Sequence, residues 1–114
     1  MNGELDLGRF TNLKKLYCAD NNISKIINIP ETLEYLDCSH NDIEYFDCIP
    51  KNLTDFDIHD NPLISLEFEE NSKFNSTLNY LPKTIEKLVL GKEFNQPIDN
   101  LPLNLTYLKL GDKF

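Results

Sequence analysis

The sequence predicts an α/β-class solenoid with a short, curved parallel β-sheet of about five coils and little helix. In the first half of the chain, a six-position apolar frame recurs at intervals of 20 residues. A second frame, also of 20 residues, follows in the other half, and proline recurs on the segments between the strands. Such regular spacing is typical of coils that stack, because each coil buries its apolar side chains only against its neighbours.

The first frame occurs three times within residues 13–68. Its members are Leu13, Leu16, Cys18, Asn21, Ile23 and Ile26, then Leu33, Leu36, Cys38, Asn41, Ile43 and Phe46, then Leu53, Phe56, Ile58, Asn61, Leu63 and Leu66. Alternation along each short strand directs pairs such as Leu36 and Cys38 inward. The asparagines are expected to stack at a sharp turn, because an amide both donates to and accepts from backbone groups.

The segments that return from one strand to the next carry proline, at Pro30 and Pro50. Proline lacks a backbone donor and interrupts a regular helix. A 20-residue coil also leaves no room for a three-turn helix beside its strand. Extended or 3₁₀ return segments are therefore predicted. Residues 1–12 have apolar residues at mixed spacing and are either a degenerate first coil or a cap.

Residues 69–80 interrupt the spacing, because 32 residues separate Leu53 from the next good match at Ile85. The run is polar apart from Phe74, Leu78 and Tyr80. The favoured prediction is a loop inserted at the rim of the solenoid. A partial extra coil is the alternative, since the pair at 74–75 precedes a second Phe-Asn pair by one repeat length.

Residues 81–114 contain two further repeats, the second of which is incomplete, and the whole chain is predicted to be one domain. The equivalent positions are Leu81 and Leu101, Pro82 and Pro102, Ile85 and Leu105, Leu88 and Leu108, Leu90 and Leu110, Gly91 and Gly111, and Phe94 and Phe114. Glycine replaces the asparagine turn and permits a tighter bend. Phe94 is expected to fill the coil interior. The final coil is expected to stay open, which predicts self-association through it.

Residues 81–98 closely resemble the FNIP repeat of amoebae such as Dictyostelium and of giant viruses such as mimivirus, because Phe-Asn-Gln-Pro-Ile at 94–98 lies between two Leu-Pro starts. The first half resembles the leucine-rich repeats of giant-virus proteins and the 20-residue repeats of secreted bacterial effectors. The resemblance extends over residues 13–114 and implies a solenoid that binds a protein partner. FNIP proteins often carry an F-box, for which the dozen or so residues before the first repeat leave no room, so that adaptor role is not carried over.

The chain has 114 residues and a net charge of -8, from 19 acidic and 11 basic residues. This balance argues against nucleic acid, which rewards basic surfaces. No apolar run approaches the ~20 residues that span a bilayer, so no membrane association is expected. The N-terminal residues do not form a signal peptide. The three cysteines are therefore expected to be reduced and the protein intracellular, in the host cytoplasm if it is viral.

No catalytic or metal-binding motif stands out, so the sequence predicts no enzyme, no metal and no cofactor. Cys18 and Cys38 occupy leucine positions, and with Cys48, His40 and His59 they lack the ligand spacing of a zinc site. The two histidines lie near serines and aspartates, but no nucleophile motif accompanies them. Buried structural thiols and a solvated acidic surface account for these residues.

The outward residues of the strands are predicted to form three columns on one contact surface. Its members are Lys15, Tyr17, Tyr35, Asp37, Asp55, Asp57, His59, Lys87, Tyr107 and Lys109. Tyrosines beside charges are typical of protein interfaces. The predicted function is a non-catalytic module that binds a protein partner through this strand face. The alternative is a structural or remnant fragment of a longer repeat array without a dedicated partner.

Overall fold

The computed structural model describes residues 3–78 and 81–114 as eight short parallel strands joined by turns. The strands are β1 (Glu4–Asp6), β2 (Lys15–Tyr17), β3 (Lys25–Ile27), β4 (Tyr35–Asp37), β5 (Asp55–Asp57), β6 (Ser65–Glu67), β7 (Lys87–Val89) and β8 (Tyr107–Lys109). The predicted parallel solenoid with little helix is confirmed. No helix in the described ranges is long and apolar enough to cross a membrane.

The strands lie on two faces of the solenoid. On the first face, β2, β4 and β5 pair in register, which aligns Leu16, Leu36 and Phe56. On the second face, β1 pairs with β3, and β6, β7 and β8 pair in that order. Residues 42–44 connect these two groups of the second face. The Asp42 amide donates to the Ile23 carbonyl at 2.8 Å, and the Ile64 amide donates to the Glu44 carbonyl at 3.1 Å.

The strands of the second half do not continue the first face, as the sequence analysis had placed them. Strand β7 instead pairs with β6, in the return half of the third repeat. The reason is that Leu63, Leu66 and Phe68 supply a second strand start of the same kind. The Glu86 amide donates to the carbonyl of residue 64 at 2.8 Å, as the amide of residue 54 does to the Glu34 carbonyl at 2.9 Å. The 32-residue interval therefore moves the paired strands to the second face.

Residues 69–78 are packed into the solenoid, which corrects the rim loop predicted for residues 69–80. Phe74 is buried and its ring stacks between those of Phe68, at 4.5 Å, and Phe94, at 6.3 Å. The Asn95 amide donates to the Asn75 side chain at 2.8 Å. The extra-coil alternative describes this segment, because its few apolar side chains are spaced for the core despite the polar composition. Residues 79 and 80 lie outside the described ranges.

The stacked asparagines join neighbouring coils of the first half. The Asn41 side-chain nitrogen donates to the carbonyls of Cys18 and Cys38, both at 3.0 Å. Its oxygen accepts from the amides of Asn21 at 3.0 Å and Ile23 at 2.9 Å. One buried amide thus satisfies backbone groups of two coils, as its position in the frame predicted.

The coils of the second half stack so closely that glycine is required for space. A Cβ atom on Gly91 would lie 2.6 Å from the Glu69 carbonyl oxygen, and one on Gly111 would overlap the Gly91 carbonyl. Gly3 is the described glycine with a positive φ. The two glycines of the second half are therefore needed for close approach of the coils, and not for a left-handed bend.

The two ends of the solenoid are covered differently. Strand β1 adds a rung to the second face, where Leu7 is buried. In the last coil, Leu108 is 38% exposed and Phe114 is 51% exposed, whereas Leu88 and Phe94 in the preceding coil are 0% exposed. The apolar side chains of the last coil are thus partly uncovered, as the sequence predicted.

Candidate functional site

Most of the predicted contact residues come together on the first face. We call these residues the first-face patch: Lys15, Tyr17, Tyr35, Asp37, Asp55, Asp57 and His59. Pairing of β2, β4 and β5 aligns Lys15, Tyr35 and Asp55 in one column. A second column contains Tyr17 and the aspartates of β4 and β5 at 37 and 57. Residues two apart on a strand point to the same side, so both columns face outward.

Two tyrosines form the aromatic part of the first-face patch. The ring centroids of Tyr17 and Tyr35 are 4.8 Å apart and the rings are tilted by 35°. Tyr17 is 65% exposed, so the pair presents aromatic surface to solvent. Loss of hydration raises the pKa of the Tyr35 hydroxyl, and the neighbouring Tyr17 and Asp37 raise it further. The hydroxyl therefore stays protonated at neutral pH and can donate a hydrogen bond.

Carboxylates surround the tyrosine pair. Asp37 and Asp57 face each other across β4 and β5, at the ~4.8 Å spacing of neighbouring strands. Asp37 accepts from the Ser39 hydroxyl at 2.8 Å and from the Ser39 amide at 3.1 Å. With Asp55, the patch holds three carboxylates against one lysine, Lys15. The electrostatic potential of this surface therefore favours a cationic group.

A pair of histidines lies at the carboxyl end of β4 and β5. The Nε2 atoms of His40 and His59 are 3.1 Å apart. The His40 Nδ1 lies 2.8 Å from the Asp60 carboxylate, and the His59 Nδ1 lies 2.5 Å from the Asp57 carboxylate. The hydrogen bond to Asp57 raises the pKa of His59. Two imidazoles thus face each other, each held by its own carboxylate.

The sequence analysis placed His59 in the contact surface but not His40 or Asp60. The repeat register was the available signal. His59 occupies the repeat position of Ser39, and His40 directly follows Ser39 on the neighbouring coil. The backbone at residues 20, 40 and 60 has φ near 55–60°, so these three equivalent positions share one left-handed turn.

The remaining predicted contact residues, Lys87, Tyr107 and Lys109, lie on the second face. The Lys87 ammonium lies 5.1 Å from the centroid of the Tyr107 ring and 3.1 Å from the Glu67 carboxylate. Lys109 is opposite Val89 on the neighbouring strand. The structure therefore divides the predicted contact residues between two surfaces, and this second group does not extend the first-face patch.

The three cysteines are free thiols in different environments. Cys18 and Cys38 are buried, and Cys48 is exposed. Burial raises the pKa of the Cys18 thiol to about 11 and raises that of Cys38 as well. The pKa of Cys48 is also raised, by partial burial and by the neighbouring Glu69. Since the thiolate is the reactive species, accessibility should separate the three residues.

We expect Cys48 to react with a disulfide reagent in the native protein while Cys18 and Cys38 stay protected, because both are buried and uncharged. Spectrophotometric thiol counting at pH 8 should give one rapid equivalent, and three after denaturation without reductant. Substituting Cys48→Ser should remove the rapid equivalent. Three rapid equivalents in the folded protein would show that the first-half coils are open.

Comparisons with known proteins identify the repeat type. Residues 74–113 match the family model described as FNIP Repeat. The fold is similar to that of YopM from Yersinia enterocolitica WA-314, with a TM-score of 0.52 and 24% sequence identity. That similarity covers 86% of this chain and 24% of the YopM chain, and it shows a shared leucine-rich-repeat fold. No curated protein sequence matches the chain.

Proposed function

We propose that this solenoid, with its FNIP segment at residues 74–113, is a non-catalytic module that binds a basic segment of a protein partner through the first-face patch. The observation that carries the proposal is the strand register of the first face. It places the exposed pair Tyr17 and Tyr35 next to the three carboxylates of β4 and β5. Both a fixed aromatic anchor and a charge preference are thus present on one outward surface.

Tyrosine is enriched among the residues that dominate interface energies, because it buries a large rigid surface and retains a polar hydroxyl. The carboxylates add attraction for lysine and arginine and repel acidic chains. The overall charge of -8 acts in the same direction. Three short parallel strands form an even surface, which suits an extended basic segment of a protein. Binding of this kind inside a cell is part of the proposal.

A peptide selection tests this proposal without a known partner. A random peptide library displayed on phage is selected against the immobilised chain, and the affinity of enriched peptides is measured by calorimetry. We expect enriched peptides to be rich in lysine and arginine. Tyr17→Ala and Tyr35→Ala should each weaken their binding at least tenfold, which corresponds to about 1.4 kcal/mol.

Tyr107→Ala is the matched control, since this tyrosine lies on the second face. Its affinity for the selected peptides should equal that of the unsubstituted chain. Raising the salt concentration should also weaken binding, because exposed charges are screened. Loss of binding in Tyr107→Ala with full binding in the other two variants would move the contact surface to the second face.

Self-association through the last coil is a second candidate. It rests on one cluster of uncovered side chains at β8 and its flanks, where Leu103 is 100% exposed beside the exposed Leu108 and Phe114. Sedimentation velocity should show concentration-dependent dimers, and Leu108→Ser should shift them to monomers. A monomer at all concentrations in both proteins would exclude this role and leave the first-face proposal unaffected.

A further inference from the structure

We propose that His40 and His59 form a binding site for a divalent transition-metal ion of the class that prefers imidazole ligands, such as Zn²⁺. The two Nε2 atoms are the ligands, and Asp57 and Asp60 are the positioning residues that hold the rings. This site lies at the edge of the first-face patch and is independent of partner binding. It departs from the sequence-based prediction of no metal, because ligands 19 residues apart resemble no zinc motif.

The proton positions provide the first argument. A carboxylate only accepts hydrogen bonds, so each Nδ1 that contacts one must carry a proton. This applies to His40 with Asp60 at 2.8 Å and to His59 with Asp57 at 2.5 Å. In a neutral imidazole whose Nδ1 is protonated, Nε2 has a lone pair and no hydrogen. Two such lone pairs 3.1 Å apart repel each other unless a positive species lies between them.

The distances suit a metal ion as that species. Two Zn–N bonds of 2.0–2.1 Å that enclose an angle of about 98° separate their nitrogens by the observed 3.1 Å. That angle is within the usual range for tetrahedral coordination. The ring centroids are 4.6 Å apart and the rings are inclined by 80°. A head-on N–H···N bond would add the radius of both rings to the nitrogen separation and hold the centroids further apart. The imidazoles therefore converge on a point beside the line between their nitrogens.

The carboxylates complete a known pattern of metal sites. A metal-bound histidine commonly donates its other ring hydrogen to a carboxylate, which fixes the tautomer and makes the ligand more basic. Both histidines show this arrangement. Among the described residues, His40, His59 and Asp60 are the group whose donor atoms lie close enough to share one ion, within 4.8 Å of one another. Two imidazole ligands favour Zn²⁺, Ni²⁺ or Cu²⁺ over Mg²⁺ and Ca²⁺, which prefer oxygen.

Calorimetric titration of the tag-free full chain with Zn²⁺ tests the site. We expect one equivalent to bind and to raise the midpoint of thermal unfolding, since an ion that binds only the folded state stabilises it. His40→Asn and His59→Ser should each weaken Zn²⁺ binding at least about tenfold. Asp57→Asn is expected to weaken binding about 10-fold or more through loss of ring orientation.

The replacements were chosen so that the variants keep the fold. Asparagine tolerates the left-handed backbone of residue 40, where φ is 54°. Serine is the residue of the neighbouring coil at the repeat position of His59. Asp20→Asn is the matched control, because Asp20 occupies the same turn position one coil away. Cys48→Ser is a second control that tests the exposed thiol. Both controls should bind Zn²⁺ as tightly as the unsubstituted chain.

Side-chain nitrogen NMR of the histidines identifies the ligand atoms. Zn²⁺ should shift the Nε2 resonances of both rings and leave each Nδ1 protonated. Three results would each overturn the proposal: no Zn²⁺ binding up to millimolar concentration, unchanged affinity in the double variant His40→Asn/His59→Ser, or Nε2 resonances that do not respond. In the first case a shared proton, and not a metal, occupies the space between the rings.

Discussion

Replacing Phe94 with alanine is expected to lower the free energy of unfolding by about 3–5 kcal/mol. Phe94 is 0% exposed and is the largest of the fully buried side chains. Its ring lies between those of Phe74, at 6.3 Å and 4°, and Phe114, at 6.2 Å and 9°. Truncation would leave a cavity between two coils of the second half, and the close approach at Gly91 limits how far the backbone can collapse to fill it.

Phe114→Ala is the matched control, because it removes the same side chain from the equivalent position of the last coil. Phe114 is half exposed, so we expect a loss of about 1 kcal/mol or less. Urea unfolding followed by circular dichroism in the strand band measures both variants. Equal losses would mean that the phenylalanine stack does not hold the second half together.

Leu36→Ala is expected to cost about 2–5 kcal/mol of the free energy of unfolding. Leu36 is 1% exposed on the central strand of the first face, where it aligns with Leu16 and Phe56. Tyr35→Ala changes the adjacent residue on the outer side of the same strand. That substitution should cost only the contact with Tyr17 and part of its own burial, about 0.5–1.5 kcal/mol.

The same urea experiment distinguishes the two sides of β4. A larger loss for Leu36→Ala than for Tyr35→Ala is the expected order. Neighbouring residues on a strand point to opposite faces, so a slip of one residue would exchange their roles. The opposite order would therefore place Tyr35 in the core and remove it from the first-face patch.

The sequence alone predicts much of the first half, because the information there is local and repeated. Period-two alternation identifies Leu36 and Cys38 as inward, and both are buried. The 20-residue interval predicts that Tyr35 lies beside Asp55, which the register confirms. Asn41 follows the strand at the position where a buried amide can satisfy a turn, and its five hydrogen bonds fulfil that role.

The face on which the second half continues could not be read from the same pattern. Leu88 fits the frame of Phe56 and that of Leu66 equally well, since both belong to strands of alternating apolar residues. Pairing with Leu66 prevails in the structure. It allows Phe68 and Phe74 to bury their rings against each other at 4.5 Å, a contact between segments that no local periodicity describes.

The sequence by itself determined the solenoid, its 20-residue period and the inward side chains, because these depend on repeating apolar residues within each coil. The tertiary structure decided which surface residues are neighbours. It separated Lys87 and Tyr107 from Tyr35, since strand pairing passes from the first face to the second. It also brought His40 against His59, because lateral stacking converts a separation of 19 residues into a contact between adjacent coils.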